Sequence, residues 1–171
     1  MSAARVTEGK PVGADAVYLR RVIQAAGQSR AMGRHPFSSL IVLDGEVIAE
    51  SQSMKTGNTD ATNHSEMRVL REASATRPPP VLAKATLYAS TEPCAMCAGA
   101  TYWAGIGRVV FGFSEASLRA LTGSHAWNPT LALPCRELFS RGSRDIEVIG
   151  PYLEEEAAVP HQGFWDKGGK P

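Results

Sequence analysis

Cysteine is scarce in this chain: 171 residues hold three, Cys94, Cys97 and Cys135. An odd number, with two of them three positions apart, excludes the disulfide framework that staples small secreted domains. Long apolar runs are also missing, and none approaches the roughly 20 residues a membrane-spanning helix needs. Met1 to Gly13 has no apolar core resembling a secretory signal. Charge of one sign is absent too. The formal net charge is +1, and Arg20-Arg21 is the one adjacent basic pair. A nucleic-acid footprint clusters its lysines and arginines, so scattered charge argues against such a partner and against a charged membrane surface. These absences lead to an expectation of a cytoplasmic enzyme or binding protein.

What is present suits one globular unit. Hydrophobic residues make up 43% and charged residues 20%, an ordinary balance for a packed domain of this length. Val17, Val22, Ile23 and Ala26 form a helical stripe up to about Gln28, with Asp15 near its start. Leu40-Ile41-Val42-Leu43 and Glu46-Val47-Ile48-Ala49, separated by Asp44-Gly45, read as a β-hairpin. A helix from about His64 runs through Met67, Val69, Leu70 and Ala73 until Pro78-Pro79-Pro80 stops it. Ala85 to Ala89 reads as a strand, the residues after Pro93 as a helix to about Ala104, and Arg108 to Phe113 as another strand. Glu115 to Leu121 and Cys135 to Arg141 are short helices, and Asp145 to Ile149 is the last strand. This order predicts a mixed sheet with helices on its faces. The chain divides into a flexible lead (1–13), a main domain (14–153) and a tail (154–171) carrying Phe164 and Trp165, which either closes the site or anchors itself.

Two short motifs carry chemistry, His64-Ser65-Glu66 and Pro93-Cys94-Ala95-Met96-Cys97. Three apart at a helix start, the two cysteines share a face, so both sulfurs reach one point. Pro93 fits the first turn, where its missing N–H has no partner to lose, and the positive end of the helix favours thiolate, the form that binds metal. Two cysteines and His64 make three ligands and leave a fourth position for water, the ligand count of a catalytic zinc site. Residues two apart diverge inside a helix, so His64 and Glu66 converge only in an irregular first turn, which Asp60-Ala61-Thr62-Asn63 supplies. Glu66 then serves as acid and base for the water and the leaving amine. Each motif alone has a plainer explanation. His-x-Glu is common, Cys-x-x-Cys after a strand fits a dithiol redox protein, and Cys135 as a fourth ligand would close a structural zinc site. Only the catalytic reading uses His64, Glu66 and both cysteines together.

The pair of motifs resembles the signature of the zinc nucleobase deaminases. His35-Pro36-Phe37-Ser38-Ser39-Leu40-Ile41-Val42, the Asp44-Gly45-Glu46 turn, Asp60 through Met67 and Thr91 through Ala100 extend the resemblance to the cytidine deaminase superfamily. It covers about residues 14 to 125. Tyr102-Trp103-Ala104 is similar to the guanine and related free-base branch. The resemblance implies a three-layer α/β/α sandwich with a mixed central sheet, one Zn2+ per chain, a small heterocyclic substrate and a homodimer.

Two departures bear on substrate. Where the superfamily carries a base-contacting asparagine, seven positions before Asp60, this chain has Ser53, with Gln52 and Asn58 as nearby amides. The acidic residue of guanine deaminases, about thirty positions after the second cysteine, is also missing: no Asp or Glu lies between Glu115 and Glu137. A carboxylate is the natural acceptor for guanine's N–H edge, so a cytosine-like, isoguanine-like or s-triazine ring is expected over guanine. A guanine deaminase and a tRNA adenosine deaminase are the enzymatic alternatives. Phe37, His125 and Trp127 are expected to line the pocket, and Glu137 is a candidate proton shuttle.

Overall fold

A computed structural model describes residues 6–53, 60–123 and 130–167. Six strands form one sheet: β1 (Val6–Glu8), β2 (Ser38–Leu43), β3 (Glu46–Gln52), β4 (Thr86–Thr91), β5 (Arg108–Phe113) and β6 (Ile146–Ile149), in the order β1-β6-β5-β4-β2-β3. β4, β5, β6 and β1 are parallel, and β2 and β3 run antiparallel on one side. The hairpin turns at Asp44 and Gly45, whose φ angles of 51° and 82° are the paired positive values of a type I′ turn.

Among the described residues, seven helices cover the faces: α1 (Gly13–Ala31), α2 (Ser65–Thr76), α3 (Pro79–Leu82), α4 (Ala95–Ala104), α5 (Glu115–Thr122), α6 (Cys135–Ser140) and α7 (Glu154–Ala158). On one face Leu19, Val22 and Ile23 of α1 pack with Leu40, Tyr88, Val110 and Ala157 of α7. On the other, Val69, Leu70 and Ala73 of α2 pack with Ile41, Leu87, Ala98 and Phe139. The result is the expected α/β/α sandwich around a mixed sheet.

Three elements depart from the sequence expectation. The polar lead contains β1, a parallel edge strand paired to β6. Its register depends on a strand at the far end of the chain, so no local pattern announces it. The prolines that stop α2 also open α3, because Pro79 and Pro80 fill first-turn positions that need no N–H. The tail is folded: α7 and 3-10 turns at Val159–His161 and Trp165–Lys167 carry it back across the α1 face. α4 stops at Gly105, whose φ of 90° suits glycine and whose Cβ would lie 2.7 Å from Pro79.

A buried ion pair ties the layers. Asp15 is fully buried and accepts two bonds from the Arg108 guanidinium (2.7 and 2.8 Å), one from Tyr88 Oη (2.8 Å) and one from the Val12 N–H (2.7 Å). Every lone pair that burial strips of water thus has a donor.

Candidate metal centre and its surroundings

α2 and α4 both begin at the edge where β4 ends and β2 begins. His64 is the N-cap of α2 and Cys94 the N-cap of α4, both with extended backbone. Non-helical caps let these two side chains converge ahead of their helices, His64 exposed and Cys94 half-buried, and Cys97 follows one turn later on the buried side. His64 Nδ1 lies 3.6 Å from Cys94 Sγ and 3.5 Å from Cys97 Sγ. All three ligand atoms fall within 4.8 Å of one another. Zinc–sulfur and zinc–nitrogen bonds of about 2.3 and 2.0–2.1 Å at a tetrahedral angle imply a nitrogen–sulfur edge of about 3.6 Å. The donor set and its spacing therefore fit zinc. Cys135 is not part of the group; its amide donates to Glu92 Oε1 at 2.9 Å. Burial, followed by the nearby Glu92 carboxylate, raises the Cys135 thiol's pKa well above the ordinary value.

The electrostatics match a cation site. A hydrogen bond from Cys97, and then one with His64, bring the Cys94 thiol down to about 4. The same hydrogen bond between the thiols, followed by burial, pushes Cys97 up, and metal binding requires both as thiolates. His64 is raised by its bond to Cys94.

Glu66, in the first turn of α2, is 8% exposed. Burial raises its carboxyl, while its Oε2 accepts from Ser65 Oγ at 2.9 Å. Desolvation thus favours the protonated form of this carboxyl relative to an exposed glutamate.

The other expected residues separate. The Phe37 ring packs on His161 and Trp165, with centroids 5.4 and 6.2 Å away, and its carbonyl accepts from the Ser53 N–H at 2.8 Å. Gln52 is engaged with Gln28 of α1 at 3.3 Å. Glu137 is half exposed and paired with Arg141 one turn on, a surface arrangement with no contact to the metal group. Asn58, His125 and Trp127 lie outside the described residues.

Three residues with no earlier role stand close by. Glu92, two positions before Cys94, is buried and bonded to backbone amides of α5 and α6. Glu115, which bounded the acid-free stretch in sequence, follows β5 directly beside the β4–α4 turn. Burial first, then the charges of Cys94 and Glu92, bring its carboxyl up to about 7. A carboxyl therefore does stand near the metal group, although the sequence search for one ran only downstream of it. His161 is fully buried where the tail meets the end of β4. Its Nδ1 accepts from Trp165 Nε1 (3.3 Å), so Nε2 carries the proton toward Thr91 Oγ1 (3.2 Å). Of the three, only Glu92 had a local signal, its place in Thr91-Glu92-Pro93-Cys94.

The chain is similar to known proteins across most of its length. A probable cytosine deaminase of Schizosaccharomyces pombe is 43% identical over 154 residues, 90% of this chain and 94% of that protein. A tRNA-specific adenosine deaminase of Bacillus subtilis is 32% identical over 151 residues, 88% of each. A solved tRNA:A34 deaminase superposes with a TM-score of 0.63 at 25% identity, covering 85% of this chain and 99% of the other. The family model for the cytidine and deoxycytidylate deaminase zinc-binding region matches residues 13–113. It spans the hairpin, both ligand-bearing helix starts and β5, and the chain belongs to that zinc-binding deaminase family.

Proposed function

We propose that this protein removes the exocyclic amino group of a small free heterocycle, a cytosine-like ring foremost, and releases ammonia. The observation that carries the reading is the convergence of His64, Cys94 and Cys97 with buried Glu66 beside them. His64, Cys94 and Cys97 hold the metal. Zinc in such a site supplies a Lewis acid that lowers the pKa of a water to about 7. Glu66 takes the proton of the attacking water and delivers it to the ring nitrogen next to the reacting carbon; it then takes the proton of the hydroxyl so added and passes it to the amine, which leaves as ammonia as the carbonyl forms.

Two features support a free ring over a nucleic acid. The S. pombe relative named for cytosine is the more similar of the two relatives by sequence. Net charge is +1, with no basic cluster to hold phosphates. The similarity to a tRNA-specific adenosine deaminase over 88% of the chain favours the second reading, editing of tRNA. Ammonia release by zinc-loaded protein from free pyrimidines, purines, triazines, nucleosides and tRNA at matched concentrations decides. The proposal expects a free pyrimidine or triazine to lead, and a tRNA adenosine in first place would replace it with the second reading.

The active form is proposed to be a homodimer. A groove of about 720 Å³ runs between α2 and α4, lined by Met67, Leu70, Pro78, Pro79, Ala100 and Trp103. Trp103 is 80% exposed, and Glu50, Glu72, Arg68 and Arg71 line the adjoining hollow. Both signs of charge beside an apolar groove let the face meet its own copy. Trp103→Glu should sediment as a monomer under conditions where the parent protein does not.

A further inference from the structure

We propose that Glu92 is a positioning residue that locks the Cys94-bearing turn to the starts of two other helices and so fixes where the metal's sulfur ligand sits. The inference rests on the reading of His64, Cys94 and Cys97 as zinc ligands.

The turn between β4 and α4 is three residues long: Glu92, Pro93 and Cys94. Pro93 has no N–H to bind a neighbour, and the Cys94 carbonyl is already used by the Ala98 N–H at 2.8 Å. Glu92 is what ties the turn down. Its own N–H continues the β4–β5 ladder, donating to the Phe113 carbonyl at 2.8 Å. Its carboxylate is 7% exposed and bonds in two directions: Oε2 accepts from the Glu115 N–H at 3.1 Å and Oε1 from the Cys135 N–H at 2.9 Å.

Those two amides open α5 and α6, and first-turn amides have no partner inside their own helix. One carboxylate therefore satisfies two orphan donors from segments far apart in sequence, and it does so two residues from a metal ligand. Both oxygens accept from backbone amides, so the carboxylate acts by holding the turn. Its effect on the reaction passes through the position of Cys94. Residues that orient metal ligands in this indirect way typically change metal affinity by about 10–100-fold when removed.

Glutamine at this position keeps one carbonyl oxygen but turns an NH2 toward an amide N–H, so Glu92→Gln loses one bond with almost no change in size. Glu92→Ala loses both. The full-length chain, loaded with zinc, is transferred into a chromogenic chelator and the dissociation rate is read. Dissociation is expected to be about 10–100-fold faster in Glu92→Ala and intermediate in Glu92→Gln. Val22→Ala, in the core under α1 on the opposite face of the sheet, lowers stability without touching the turn and is expected to keep the parent rate. The same proteins loaded with cobalt report geometry directly. The thiolate-to-metal absorption should shift in both Glu92 variants and stay unchanged in Val22→Ala.

Parent-like dissociation and spectra in both Glu92 variants would overturn the proposal. So would an equal acceleration in Val22→Ala, which would reduce the effect to global stability. If the parent protein itself binds no zinc, the ligand reading fails first, and that result is separate from the other two.

Discussion

His161 makes the stability of this protein depend on pH between about 4 and 6.5. The ring is fully buried, stacked on Phe113 with centroids 5.2 Å apart and bonded through both nitrogens. Burial, followed by the charge of Arg30, lowers it from 6.5 to about 4. The folded state therefore holds this imidazole neutral while the unfolded chain takes up a proton below pH 6.5. Stability from this group is complete above 6.5, declines as the pH falls toward 4, and changes no further below that. With these two values the loss is about 2 kcal/mol at pH 5 and about 3 kcal/mol at pH 4. His161→Phe keeps a flat ring in the stack but removes the titration and both hydrogen bonds. It should be less stable than the parent at pH 7. Between pH 7 and pH 5, however, it should lose about 2 kcal/mol less, because the parent alone pays for the neutral imidazole. Urea unfolding of both proteins at matched zinc and at several pH values measures the difference, and proton-linked metal binding cancels between them. Parallel curves of stability against pH would refute the reasoning.

Cys94→Ala leaves two protein ligands, so zinc should fall far below one per chain on metal analysis after purification, while Cys135→Ser should keep its zinc because that sulfur lies outside the metal group. Glu66→Gln should retain fold and zinc but lose about 10²–10⁴ in turnover, and a near-parent rate with intact zinc would assign proton transfer elsewhere. Arg108→Met should lower stability by about 3–5 kcal/mol in thermal or chemical unfolding, since it strands the fully buried Asp15 carboxylate. That change should leave zinc content unaltered.

Much of the frame was legible because it is built from local signals. Asp44-Gly45 between two apolar runs specifies a turn that only a hairpin uses. Cys94 and Cys97 at a proline-led helix start point to a shared face, and the structure brings His64 to the same point. What escaped depends on contacts between distant parts of the chain. β1 pairs with β6, the end strand of the domain. Glu92 bonds to backbone amides, which no side-chain pattern reveals. His161 meets Thr91, Phe113 and Trp165, which come from three separate segments and share no motif. Glu115 has no local signal, because it is the parallel register of β4 and β5 that puts it beside the Cys94 turn. Glu137, a candidate proton shuttle by sequence, lies on a short helix that turns it toward solvent and Arg141.

The central claim is that one zinc, held by His64, Cys94 and Cys97, is required for removal of an amino group from a small ring. Titrating zinc into metal-free protein while following ammonia release from cytosine tests it directly. Turnover should rise linearly from near zero and reach its plateau at one zinc per chain. Turnover that ignores added zinc, or that never appears with a metal-loaded protein and any small ring, would contradict it.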